Sequence, residues 1–238
     1  MDFGSIIRES FAYTKEGVFS RADRWLKLIL AVIPLGILMN GYSMRIYRNS
    51  HPAPEVDQWG TLFIDGLKLT IVGILYAIPI LVLWCIVYSR MLIAFMNGDI
   101  SHIHSAMSGW TPNIFLLVLL YIVEIIVGIL APIAYIRFAR AGKFSEAFNF
   151  TAIIRTIGTI GWINYIIALI LVSLIIGIPV AVVFGVLMAL GILTGSFLGA
   201  IIAGVILLLV FSPLLVVFQA RYMTQVYNVA ESTPATSV

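Results

Sequence analysis

The sequence predicts an all-α integral membrane protein with four full transmembrane helices, an N-terminal re-entrant hairpin or short fifth span, and amphipathic interfacial helices. Three observations carry that prediction. Of 238 residues, 61% are hydrophobic and 11% charged, against roughly 45–50% and about 25% in an ordinary soluble domain. A soluble chain of this length cannot hide so much apolar surface in one core, whereas a bilayer solvates the excess. Four stretches also stay apolar for the about 20 residues that cross roughly 30 Å of hydrocarbon. What remains between them is too short for a second globular domain, so residues 1–230 read as one membrane domain.

The chain opens with an amphipathic segment within residues 1–24. Phe3, Ile6, Ile7, Phe11 and Val18 recur at helical spacing, as in a helix lying in the membrane interface. The segment lacks a continuous apolar core, so no cleavable signal peptide is expected. Ser20-x-x-Asp23 before Trp25 reads as a capping box. Leu26–Tyr42 follows, short for a span and interrupted by Pro34, Gly36, Asn40 and Gly41. Residues 26–48 therefore either cross once or dip in and return. Full crossing divides the basic residues almost evenly between the two faces. A re-entrant path leaves Arg90 alone outside, which fits the concentration of Lys and Arg in cytoplasmic loops and puts both termini in the cytoplasm.

The full spans are Leu62–Phe95, Ile114–Ile136, Ile163–Leu190 and Phe197–Phe218. Thr111-Pro112 announces the second, a capping residue followed by proline in the first turn. Gly191–Ser196 joins the last two, giving a tight antiparallel hairpin. Pro79, Pro132, Pro179 and Pro213 fall within or near the span ends, tolerated where neighbouring helices satisfy freed carbonyls, or acting as hinges. Between the second and third spans, residues 142–161 set Ala147, Phe150, Ile153, Ile154, Ile157 and Ile160 opposite Ser145, Asn149, Thr156 and Thr159. This helix lies either among lipid headgroups or on the protein's own cytoplasmic surface. Arg8, Lys15, Lys143 and Arg155 are the expected headgroup contacts. Residues 231–238 read as a polar tail. Arg45-Ile-Tyr-Arg48 and Arg137-Phe-Ala-Arg140 each close an apolar stretch and precede a Phe-x9-Gly segment, Phe63–Gly73 and Phe148–Gly158, an echo that suggests a duplicated unit.

Few polar groups lie at depth. Glu124 sits near the middle of the second span with no Lys or Arg at matching depth. A carboxylate there costs a few kcal/mol, so it reads either as an ion or proton site or as a neutral acid bridging two helices. Tyr76, Tyr121 and Ser173 are its candidate hydrogen-bond partners. Gly177, Ala181, Gly185 and Ala189 form a small-residue stripe, matched by Ser196, Ala200 and Gly204 with Gly195 and Gly199 beside them. Such stripes permit close helix approach, either within this hairpin or between protomers. Asp65 and Lys68 stand one turn apart and are expected to pair. Asp99, His102 and His104 have spacing that a metal ion could use, though an exposed loop often holds such residues.

Absences narrow the function classes. Cys85 is the single cysteine, which excludes an intrachain disulfide or a thiolate metal site. The basic residues are scattered and the net charge is +3, so no nucleic-acid partner is expected. No metalloprotease helix, nucleophile–histidine pair, intramembrane aspartate pair or phosphate-cradling loop is present in the sequence. One glutamate is too few for a membrane enzyme, and no cofactor is expected. The chain reads as a non-enzymatic accessory, scaffold or lipid-interacting subunit. The alternative is a small transporter or channel using Glu124. Expected partners are membrane lipids, with other membrane subunits or a second copy as further candidates.

Asp57-Gln-Trp59-Gly60 followed by Phe63-Ile-Asp65-Gly66-Leu67-Lys68 resembles the signature of domain-of-unknown-function family 4013. Gly41-Tyr42 with the arginines after it, Gly142-Lys-Phe-Ser-Glu146-Ala147-Phe148, Asp2-Phe3-Gly4 and Gln225-Val-Tyr227 are similar to it too. The resemblance covers most of the chain. It implies a small multispanning protein of an archaeal or bacterial cell membrane, and it implies no activity.

Overall fold

A computed structural model describes residues 1–19, 22–32, 36–96, 111 and 113–232. Ser20, Pro34, Pro112, the Asp99, His102 and His104 loop, and the tail beyond Ser232 lie outside the described residues. The described residues are helical, without a strand.

Helix α1 (Phe3–Thr14) starts where the Asp2 carboxylate accepts a hydrogen bond from the Ser5 backbone N–H at 3.1 Å, a side-chain cap on an otherwise orphaned donor. It runs into a π-helical turn, Lys15–Phe19. Helices α2 (Ala22–Val32) and α3 (Ile37–Tyr47) are bent by 120° from each other. Each is about 16 Å long at 1.5 Å per residue, half of what the hydrocarbon requires. Then come α4 (Trp59–Val87), α5 (Ser89–Met96), α6 (Ile114–Ala141), the single turn α7 (Phe144–Ala147), α8 (Phe150–Ile160), α9 (Trp162–Thr194) and α10 (Phe197–Ser232). Helices α4, α6, α9 and α10 are long and apolar enough to cross a membrane, and the bent α2–α3 pair makes a possible fifth span.

Element ends differ from the expected ones. The stretch 62–95 is two helices, because α4 stops at a turn at Tyr88. Helix α9 persists through Gly191 to Thr194. The backbone groups of this apolar stretch are thereby bonded within the helix, the state that a bilayer favours. Gly195 ends it at φ +66°, a left-handed conformation that glycine adopts without steric cost. Helix α10 continues past Phe218, with Tyr222, Val226 and Tyr227 buried.

Two compact units result, residues 1–70 with 132–238, and residues 71–131. The first contains the buried core, built from Val18, Leu28, Tyr42, Ile46, Val217 and Ala220. In it α3 crosses α4 with the backbones nearly touching. A Cβ added to Gly66 would lie 1.8 Å from the Ile37 carbonyl oxygen, and one on Gly41 1.9 Å from that of Leu62. Asn40 Nδ2 donates to Thr70 Oγ1 at 2.9 Å beside the crossing. The second unit comprises the rest of α4, α5 and the first part of α6, with Val72, Tyr76 and Leu120 buried. In the most apolar window of each span only 11–22% of residues are buried inside the protein. Side chains such as Ile74, Leu81, Phe115, Ile163 and Leu198 face outward, and lipid is the solvent that accommodates them.

Candidate functional site

The polar chemistry of the first unit collects where the helices end, and arginine organises it. Arg24, at the start of α2, pairs with Glu55 in the linker after α3. Arg45 holds the same linker from the other side, donating to the Asp57 carboxylate at 2.7 Å and to the carbonyls of Glu55 and Asp57. Arg48 pairs with Asp65 of α4 at 2.7 Å. Arg137 pairs with Glu146 of α7, and Arg140 with Glu231 near the end of α10. Arg221 of α10 meets Glu9 of α1, donates to Asn49 Oδ1 at 3.2 Å and stacks over the Tyr13 ring at 4.5 Å. A guanidinium suits this work because its planar fork makes several bonds at once and stacks on aromatic faces.

Two of these arginines exchange bonds. Arg48 Nε donates to the Ala139 carbonyl at 3.1 Å, and Arg140 Nε donates to the Tyr47 carbonyl at 3.0 Å. Each therefore caps the residue before the other, joining the two Arg-x-x-Arg segments whose likeness is visible in the sequence. Arg140 also stacks over Tyr227 at 4.5 Å. The result is a cap that ties α1, the 48–58 linker, the ends of α3 and α6, and the end of α10.

Charge shifts follow the geometry. The hydrogen bond from Arg137 holds the Glu146 carboxyl below its ordinary 4.5. The Ser5 backbone N–H lowers Asp2 in the same way. Burial pushes the Tyr13 hydroxyl above its ordinary range.

The expected site residues are placed as follows. Glu124 is half-buried on α6 and makes no hydrogen bond or ion pair with any described residue. Of its expected partners, Tyr76 is buried, and Tyr121 and Ser173 are exposed. Asp65 pairs with Arg48 and not with Lys68, which is exposed. Arg48 is already anchored at Ala139, so it presents the better-fixed donor. The stripe of Gly177, Ala181, Gly185 and Ala189 is exposed, and a Cβ on Gly177 or Gly185 would meet nothing within 4 Å. On α10, Gly204 is buried with Leu187 Cδ1 3.3 Å from its Cβ position, and Ala200 is half-buried. Gly199 lies over the Ser196 hydroxyl of its own turn. Arg8, Lys15, Lys143 and Arg155 are all exposed.

Sequence reasoning missed the cap. The paired Arg-x-x-Arg segments were its one visible signal, whereas partners such as Glu9 and Arg221 lie at opposite ends of the chain. Among the described residues no cluster of His, Cys, Asp and Glu could hold a metal ion. A family model described as a protein of unknown function (DUF4013) matches residues 26–192. No curated protein and no solved structure matches the chain.

Proposed function

Since the chain belongs to the DUF4013 family of proteins of unknown function, we propose from its geometry that it is a non-enzymatic scaffold or accessory subunit of the cell membrane, whose capped face engages anionic lipid headgroups. One contrast carries this reading. The cap's arginines are neutralised by carboxylates within the protein, whereas Arg8, Lys15, Lys143 and Arg155 stand exposed. Exposed apolar side chains flank those four, Phe11 on α1 and Phe144, Phe150 and Ile154 around α8. Cations beside exposed apolar groups on an amphipathic helix suit the headgroup region. Helix α8 combines both alternatives read from its sequence, since Ile153, Ile157 and Ile160 are buried while Phe150 and Ile154 face outward.

The same cap supports a re-entrant path for α2 and α3. Arg24 in the first turn of α2 and Glu55 in the linker after α3 form an ion pair, as expected of a chain that returns to the face it left. The cap also gathers the start of α4 and the ends of α6 and α10, which favours both termini on that one, cytoplasmic, face.

The test is thermal unfolding of detergent-solubilised protein with added phosphatidylglycerol or phosphatidylcholine. Ligand linkage predicts a higher midpoint with the anionic lipid. Replacing Arg8, Lys15, Lys143 and Arg155 together with glutamine should abolish the difference, and an unchanged difference would refute the reading. A second reading, a small transporter or channel, draws on Glu124, half-buried and unpaired among the described residues. It requires that Glu124→Gln abolish proton or cation flux in proteoliposomes, and an unaltered flux ends it.

A further inference from the structure

Resting on the lipid reading above, we propose that α9, α10 and the end of α1 form a selective site for one anionic phospholipid, with an acyl chain in the α9–α10 seam and its phosphate at Lys15. Three clefts lie in series along that seam. The first, about 610 Å³, opens between Thr14 and Lys15 on one side and Ile175, Pro179 and Leu214 on the other. It shares Pro179 and Leu215 with a second of about 260 Å³. The second shares Leu187, Gly204 and Leu208 with a third of about 240 Å³ that reaches Met188 and Ala200. The small residues Gly204 and Ala200 explain why the seam stays open there.

The dimensions and chemistry fit one occupant. From Ile175 to Met188 the groove follows α9 for about 20 Å at 1.5 Å per residue, longer than the about 15 Å of one leaflet and so long enough for a whole acyl chain. At about 260 and 240 Å³, the two inner clefts hold less than one turn of a partner helix, which with side chains is about 10–12 Å across. The inner walls are aliphatic and aromatic, as an acyl chain requires. At the wide end Phe11 packs on Phe218 at 4.6 Å, and beside it Lys15 is exposed with no ion-pair partner among the described residues. The neighbouring Arg221 offers no such charge, because Glu9 neutralises it. A phosphate anchored at Lys15 therefore has its chain directed into the first cleft.

Native mass spectrometry of the full chain, released from detergent and titrated with phosphatidylglycerol or phosphatidylcholine, tests this. One phosphatidylglycerol should be retained over phosphatidylcholine by about fivefold, the effect of one cation near the surface. Lys15→Gln, a surface change that leaves folding intact, should remove the preference. Ile175→Trp, which fills the first cleft, should weaken retention of both lipids, while Lys68→Gln should behave as the wild type. Wild-type retention in Lys15→Gln and Ile175→Trp would overturn the groove. If Lys143→Gln with Arg155→Gln then removed the preference, the headgroup reading would survive without it. A wild-type protein with no preference would overturn both.

Discussion

Arg221 shows what a single residue does in this fold. Its side chain is 4% exposed, yet it carries a full charge that Glu9, Asn49 and the Tyr13 ring accommodate. Removing one partner of a buried pair strands the other and is strongly destabilising. Glu9 keeps about a third of its surface in contact with solvent, which softens the penalty. Arg221→Ala should cost about 2–3 kcal/mol in thermal unfolding, and Arg221→Lys should recover only part of it because an ammonium cannot replace the fork. Glu146 gives a pH signature. Its folded pKa lies below the ordinary 4.5 because of Arg137. The pair therefore stabilises above 4.5, and that contribution is lost as pH falls through the lower folded value. Glu146→Gln should flatten this part of the stability curve measured between neutral and strongly acidic pH. An unchanged curve would mean that Arg137 does not hold Glu146 in solution.

At the scale of elements, the α3–α4 crossing is the least tolerant contact. Gly66→Ala places a methyl group 1.8 Å from a backbone oxygen, and neither helix can yield without losing the other. Overpacking of this kind costs about 3 kcal/mol, so the variant should fail to give a monodisperse particle on size exclusion or unfold at a clearly lower temperature. Gly177→Ala on the exposed stripe of α9 should leave stability unchanged, and a loss there would mean that the stripe is a contact surface. The four long helices were legible in the sequence because hydrocarbon demands an unbroken apolar run whose backbone bonds within itself. Their ends were less so. Tyr88 breaks the first span within an apolar run, and α10 outlasts its apolar segment because Arg221, Asn228 and Glu231 join the cap. The small-residue stripe was visible as a pattern, but periodicity alone does not say which side of a helix meets a neighbour.

Across the whole molecule, the first unit divides its labour between a polar cap and apolar helices. Lipid solvates most of each span, and the cap supplies the specific contacts that hold helix ends together. Glu124 could be found from sequence, since an acid in an apolar run stands out, but nothing in the sequence told whether Tyr76, Tyr121 or Ser173 would meet it. The reciprocal bonds of Arg48 and Arg140 give physical content to the internal echo, since each motif caps the other. Closing the cap requires the 48–58 linker to share a membrane face with α1 and the end of α10. Thiol labelling of intact cells tests that requirement directly, in a Cys85→Ser background. A membrane-impermeant reagent should modify a cysteine at Asn113, before α6, and leave cysteines at His51 and Ser232 unmodified. Modification at His51 from outside would contradict the account, because α2 and α3 would then cross the bilayer and the cap could not form.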